Sequence, residues 1–318
     1  MSASRPAPTT APDLSDEALV RRLGTGFTSN RAEVNGVELH YVEGGTGDPL
    51  ILLGGWPQTW WQWNKVLPEL ARDYRVIAVD LRGQGSSGKP AGGYDKKTLA
   101  DDIHALLQHL GIESAHIVGH DIGAMVAYAH AANHPAATRR IALLDVPHPE
   151  PTLSALTLLP GPGQHTDSVV EDGDHIYLWW FALNQVRGLP EQLLAGRARF
   201  LVDWLADYMT VDPASVDDFS RRVYARAYDT PDAIRAGNGW YQTFNRDIED
   251  AASYEPVTAP ILALANTRNQ GHLDYLRKVV TAQGTDVTVT PIADSGHYLA
   301  EEQPRAVLDA LTAFLRRR

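Results

Sequence analysis

The sequence predicts an α/β protein: a mostly parallel sheet with helices on both faces, interrupted once by a helical cap. Two observations predict it. Short, wholly apolar runs alternate with helical patterns, as expected of parallel strands buried on both faces. That alternation stops near Pro147 and resumes at Ile261. A third observation locates the chemistry: Gly119-His-Asp-Ile-Gly123 joins an apolar run to an Ala-rich helical segment, the form of a nucleophile elbow.

The elements follow in order. Residues 1–12 are rich in Ala, Pro, Thr and Ser without an apolar stretch, and read as a disordered tail, not a signal peptide. Residues 14–23 read as a short helix capped by Ser15. Residues 33–42 hold Asn35-Gly36 between alternating side chains, hence a hairpin. Buried strands are predicted at 50–53, 76–79, 116–118 and 141–144, with helices at 61–71, 98–110 and 124–133 between them. The stretch from about 148 to 254 is broken by Pro and Gly at first, then helical and rich in aromatics. A strand at 261–265, a helix near 272–282, a strand at 286–290 and a helix at 303–318 close the pattern. The division is a tail and short helix at 1–24, one sheet domain at 25–147 and 255–318, and a cap at 148–254.

Composition narrows the function. The chain has 318 residues, 44% of them hydrophobic, enough for a large core. It contains no cysteine, which excludes disulfides, thiolate catalysis and Cys-type zinc sites. A net charge of -11 and the lack of a basic, aromatic-interleaved cluster argue against nucleic acid. The basic end, Arg316 to Arg318, suits a helix C-terminus. No apolar run approaches the roughly 20 residues of a membrane span. A cytoplasmic location is therefore expected, with no membrane partner. Trp60, Trp61 and Trp63 are either contact residues of a homodimer or helix packing.

In open α/β sheets, sites lie at the carboxyl ends of the strands. After the first buried strand, Gly54-Gly-Trp-Pro can aim the Trp56 N–H into the site. With the N–H of Ile122 it would form an oxyanion hole. After the second, Asp80-Leu-Arg-Gly-Gln-Gly-Ser-Ser-Gly88 has the wrong spacing for a phosphate loop and reads as structural turns. Asp121 occupies the elbow, where the plain alternative is a helix N-cap. An attacking carboxylate forms an ester and suits alkyl transfer. Asp145 follows the next strand, and His297 follows the last. The order Asp121, Asp145, His297 gives nucleophile, acid and general base. The next-to-last strand, the commoner place for the acid, is followed by a loop without a carboxylate; Asp274 and Asp294 are the lesser candidates.

The chain resembles the α/β-hydrolase superfamily, and within it the Asp-nucleophile branch of epoxide hydrolases and dehalogenases. The resemblance rests on Gly55-Trp-Pro-Gln-Thr-Trp60, Asp80-Leu-Arg-Gly-Gln-Gly85, Gly119-His-Asp-Ile-Gly123, Leu144-Asp145 and Ser295-Gly-His297. It implies an α/β-hydrolase fold with a mostly parallel eight-stranded sheet. Placement of the acid after the sixth strand resembles the fluoroacetate dehalogenase and Cif-like epoxide hydrolase group. Fluoroacetate dehalogenases usually carry Arg after the nucleophile to grip a carboxylate; Ile122 and Met125 stand there. Haloalkane dehalogenases usually have Trp and Asn as halide donors; Ile122 and Trp56 stand there.

Epoxide hydrolases hold the opening oxygen with cap Tyr pairs or a His–Tyr pair. The resemblance implies that Tyr241 is the proton donor to the epoxide oxygen, and aligns Trp179 with the expected His. Trp179, Trp180 or both then supply indole N–H groups to that oxygen. An apolar substrate site of Trp56, Trp179, Trp180, Trp240 and Phe244 follows, suited to a bulky aromatic epoxide. The expected activity is epoxide hydrolase, a hydrolase of ether bonds, with the epoxide and water as partners and no metal or organic cofactor. A dehalogenase using the same Asp121, and a non-catalytic small-molecule binding protein, are the alternatives.

Overall fold

The computed structural model describes residues 12–155, 178–268 and 270–316. The predicted tail to residue 11, the cap stretch 156–177, and Arg317 and Arg318 lie outside them. The strands are β1 (Phe27–Val34), β2 (Val37–Gly44), β3 (Asp48–Leu53), β4 (Tyr74–Val79), β5 (Ala115–His120), β6 (Thr138–Leu144), β7 (Ile261–Asn266) and β8 (Val287–Ile292). They form one eight-stranded sheet in the order β1-β2-β4-β3-β5-β6-β7-β8. β1, β2 and β4 pair antiparallel; from β4 through β3 to β8 every pair is parallel.

The β1–β2 hairpin turns at Asn35 and Gly36, with φ of 46° and 72°. Both values suit the turn that matches strand twist, and explain why Asn-Gly stands there. Leu50, Ile51, Leu52 and Leu53 of β3 are fully buried. The helix Ile122–Asn133 packs against β3, β5 and β6, and Gln270–Gln283 packs against β7 and β8. Strand order reverses at β3, whose neighbours are β4 and β5. The loops after β3 and β5 therefore meet at a crevice, where the fold class places its ligands.

One predicted helix is corrected. Residues 61–71 form a 3-10 turn, Trp60–Trp63, and a separate short helix, Leu67–Leu70. Pro68 falls at the start of the second piece, where its missing N–H does no harm; a continuous helix would have needed that donor. Trp60, Trp61 and Trp63 are all buried, so they pack inside this chain and are not exposed contact residues.

Between β6 and β7 lie Trp179–Gln185, Leu189–Leu194, Ala198–Met209, Asp218–Ala227, Pro231–Gln242 and Phe244–Ala251, all helical. A wholly buried ion pair ties this cap to the sheet domain. Lys96 Nζ lies 2.7 Å from Asp247 Oδ2 and donates to the Trp240 carbonyl at 2.6 Å. None of the described helices is long and apolar enough to cross a membrane.

Candidate active site

The elbow is built by two glycines around a strained aspartate. Asp121 has φ 52° and ψ -124°, outside the comfortable regions for a side-chain-bearing residue. A Cβ on Gly119 would lie 2.0 Å from the Gly123 carbonyl oxygen, and one on Gly123 would lie 2.3 Å from that of Leu53. Only glycine permits so sharp a turn against β3. The Asp121 side chain makes no capping hydrogen bond, which rejects the N-cap alternative.

Its carboxylate is gripped instead by the loop after β3. The Trp56 N–H donates to Oδ2 at 2.8 Å, and the Ile122 N–H also bonds the carboxylate. Both amides expected to form an oxyanion hole thus stand against the Asp121 carboxylate. Gly55 makes the approach possible: a Cβ there would fall 2.4 Å from Asp121 Cβ. Gln84 braces the loop from behind, donating to the Gly55 and Gln58 carbonyls at 3.0 Å each. The sequence of Asp80–Gly88 indicates only turns, and no motif in it marks Gln84. Burial pushes the Asp121 carboxyl up, against the pull of His297 and the two amides.

Asp145, at the end of β6 with φ 70°, accepts from His297 Nδ1 at 2.6 Å through Oδ2. Its Oδ1 accepts from Asn266 Nδ2 at 2.6 Å and from the Asn266 N–H at 3.2 Å. His272 Nε2 stands 2.7 Å from the Asp145 carbonyl oxygen and 3.2 Å from Oδ1. Burial alone would raise this carboxyl; the two imidazoles outweigh it and hold Asp145 well below the usual range. Asp274 is exposed and bonded to Gln270, and Asp294 is exposed in a turn, so neither competes. The contacts of Asn266 and His272 were not foreseen. Asn266 ends its strand and His272 follows in the next helix, positions that could have drawn attention.

The His297 loop is fastened on both sides. Its N–H donates to the Met209 carbonyl at 2.8 Å, and its own carbonyl lies 2.8 Å from His120 Nε2. Burial pushes His120 down to about 3, so it stays neutral and donates there. Burial also acts to lower His297, but the hydrogen bond and charge of Asp145, with the charge of Asp121, outweigh it. His297 is therefore held above its ordinary value while Asp121 is ionised. Esterifying Asp121 removes one of those charges, so the His297 midpoint should fall on alkylation. Titrating the imidazole by NMR before and after alkylation checks the sign; an upward movement would contradict it.

On the cap side, Tyr241 is 2% exposed. Its ring stands edge-on to Trp56 at 5.5 Å and packs against Phe181 and Phe244 at 5.2 and 5.3 Å. The Trp180 side chain is its polar neighbour, and the Asp121 charge reaches it. Burial and that charge push the phenol well above its ordinary value, so it keeps its proton.

The two adjacent indoles part company. Trp180 is buried beside Tyr241, whereas Trp179 is only partly buried and packs edge-on against Trp204 at 5.1 Å. The expectation for Trp240 is corrected. It is fully buried, and its indole donates to the Arg82 carbonyl at 3.1 Å, so it seals cap to core instead of facing substrate. Phe244 packs behind Tyr241.

Among the described residues, Asp16, His40 and Asp80 bring three donor atoms within 4.8 Å of one another. All three are engaged: His40 Nδ1 bonds Asp80 at 2.8 Å, Asp80 accepts from the Trp60 and Ser86 amides, and Asp16 accepts from the Trp60 indole. This cluster braces the loops after β3 and β4.

Comparison with known proteins places the fold in a family. Residues 48–304 match the family model described as alpha/beta hydrolase fold. The chain is 32% identical over 304 residues to a soluble epoxide hydrolase of Corynebacterium sp. (strain C12), covering 92% of this chain and 98% of that one. It is 27% identical to a fluoroacetate dehalogenase of Burkholderia sp, covering 91% and 94%. The crystal structure of Cfl2 from Burkholderia cenocepacia superposes with a TM-score of 0.82 at 35% identity, covering 93% of this chain and 97% of that chain. With its elbow, its sheet order and a family match across most of its length, the chain belongs to the alpha/beta hydrolase family.

Proposed function

We propose that this protein is an epoxide hydrolase acting through a covalent ester on Asp121. The observation that carries the reading is the buried Tyr241 phenol, packed edge-on at 5.5 Å against Trp56, the residue whose N–H holds the Asp121 carboxylate. A ring opened by a carboxylate leaves its oxygen on the substrate, and that oxygen needs a donor. The 32% identity to a soluble epoxide hydrolase supports the same choice.

In the first half-reaction, Asp121 attacks a ring carbon. The carbon–oxygen bond breaks, and its electron pair stays on the oxygen, which takes the Tyr241 proton. In the second, His297 takes a proton from water as the hydroxyl adds to Asp121 Cγ. The Trp56 and Ile122 amides hold the resulting oxyanion, an effect worth roughly 3–4 kcal/mol per donor. The ester bond to the alkyl oxygen then breaks, and that oxygen takes the proton from His297. The carboxyl left on Asp121 gives up the last proton, which restores Tyr241, and a vicinal diol departs. Every step uses only water and groups of this chain.

One observation favours a second reading. The Trp180 indole is a donor without an acid proton to give, and it could cradle halide in a dehalogenase. Ile122 and Met125 stand where a cation clamp for a small anionic substrate would be needed, which weighs against it. Side-by-side incubation with styrene oxide and with chloro- and bromoalkanes separates the two. Diol formation is expected; halide release without diol would replace the first reading by the second. Tyr241→Phe should slow alkylation by about 100-fold, as expected for a lost general acid. Alkylation at the wild-type rate would remove Tyr241 from the reaction.

A further inference from the structure

The Asp145 carboxylate lies between two imidazoles, and only one of them has a part in the mechanism above. His297 bonds Oδ2 at 2.6 Å. His272 approaches from the helix Gln270–Gln283, with Nε2 2.7 Å from the Asp145 carbonyl and 3.2 Å from Oδ1. Oδ1 also takes both donors of Asn266. We propose that His272 is a positioning residue for hydrolysis of the Asp121 ester: with Asn266 it pins Oδ1, so that Oδ2 stays turned toward His297. The inference rests on the epoxide hydrolase reading for its reaction, but not for its geometry.

The physical case starts from the backbone. Asp145 has φ 70°, at the point where β6 gives way to a loop. Nothing local fixes the rotation of its carboxylate, because the two oxygens are chemically identical. Asymmetry must come from donors. Oδ1 receives three and Oδ2 receives one, so turning the carboxylate out of place would break all four. His272 also bonds the main-chain carbonyl of the same residue, which ties the strained turn to the helix that follows β7.

A second consequence is electrostatic. Among the described residues, the titratable groups facing His272 include Asp145, from the end of β6, and His297, from the loop after β8. Among the described residues, those facing His297 include Asp145, Asp121, His272, Glu302, Tyr298 and the neutral His120. Asp145 raises His272 despite burial, and a proton on His272 opposes a proton on His297. A cation on the far side of the shared carboxylate thus favours the basic form of His297, which hydrolysis requires.

Two substitutions test this. His272→Ala removes the donor and the charge. Hydrolysis of the Asp121 ester, measured in a single turnover, should fall about tenfold, with a smaller effect on alkylation. His272→Gln keeps an N–H donor without the charge. It should recover most of the rate, yet raise the His297 midpoint in the ligand-free protein by about half a pH unit. A residue that merely fills space would not shift that midpoint. If both variants keep ester hydrolysis and the His297 titration within about twofold of the parent, the proposal is overturned. The NMR titration needs no substrate. Failure of every epoxide to alkylate Asp121 would therefore sink the functional reading while the titration still decides the role of His272.

Discussion

Replacing His297 by Gln should leave a protein that reacts once with an epoxide and then stops. The first half-reaction needs the Asp121 carboxylate and a donor to the ring oxygen; His297 enters only when water must be deprotonated. Intact mass measurement should show the chain heavier by one epoxide, with the addition mapped to the peptide holding Asp121. Losing the general base should slow release by about 100- to 10,000-fold. Asp121→Asn should give no adduct. The same scheme fixes the fate of solvent oxygen, because water attacks Cγ of Asp121 and not the substrate carbon. One turnover in heavy-oxygen water should label Asp121 and leave the first diol unlabelled. A labelled diol with an unlabelled Asp121 would mean that water opens the ring directly, with the carboxylate as base.

Asp247→Ala should be among the most destabilising single changes in the cap. Asp247 accepts the Lys96 N–H and Nζ at 2.7 Å each, and Thr243 donates to it at 3.1 Å. Both members of the ion pair have no exposed side-chain surface. Removing one partner of such a pair costs about 3–5 kcal/mol, because the other charge stays buried and alone. Burial already pushes Lys96 down, so it can shed its proton when Asp247 is gone, which places the cost toward the lower end of that range. A fall in Tm of about 5 °C is expected. The double change Lys96→Met with Asp247→Leu should recover much of it, because an apolar pair leaves nothing unpaired. If the double variant melts no higher than the single one, the loss comes from cap packing and not from the stranded charge.

Much of this site could be read from local sequence. The elbow is a chain-local device: two glycines two residues either side of Asp121 permit the turn, and neither needs a distant partner to reveal it. The hairpin at Asn35-Gly36 and the buried runs of β3 to β7 declare themselves in the same way, through turn chemistry and periodicity. The pairing of Asp145 with His297 was legible because β7 is followed by no usable carboxylate. The split of the predicted helix at 61–71 has a tertiary cause. Three tryptophans in four residues look helical by spacing, but their burial is set by elements far along the chain.

The fold class, the elbow and the chain order of the candidate residues Asp121, Asp145 and His297 were legible in the sequence alone, because each depends on residues within a few positions of one another or on strand order. Tertiary structure decided which way each large side chain turned. Trp179 and Trp180 are neighbours in sequence, yet one meets Trp204 and the other Tyr241. Trp240 gives its N–H to Arg82, and His272 reaches Asp145 across 127 positions. The physical reason is that hydrogen bonding and burial act on distances in space, and pairings between remote segments leave no periodic trace in the chain.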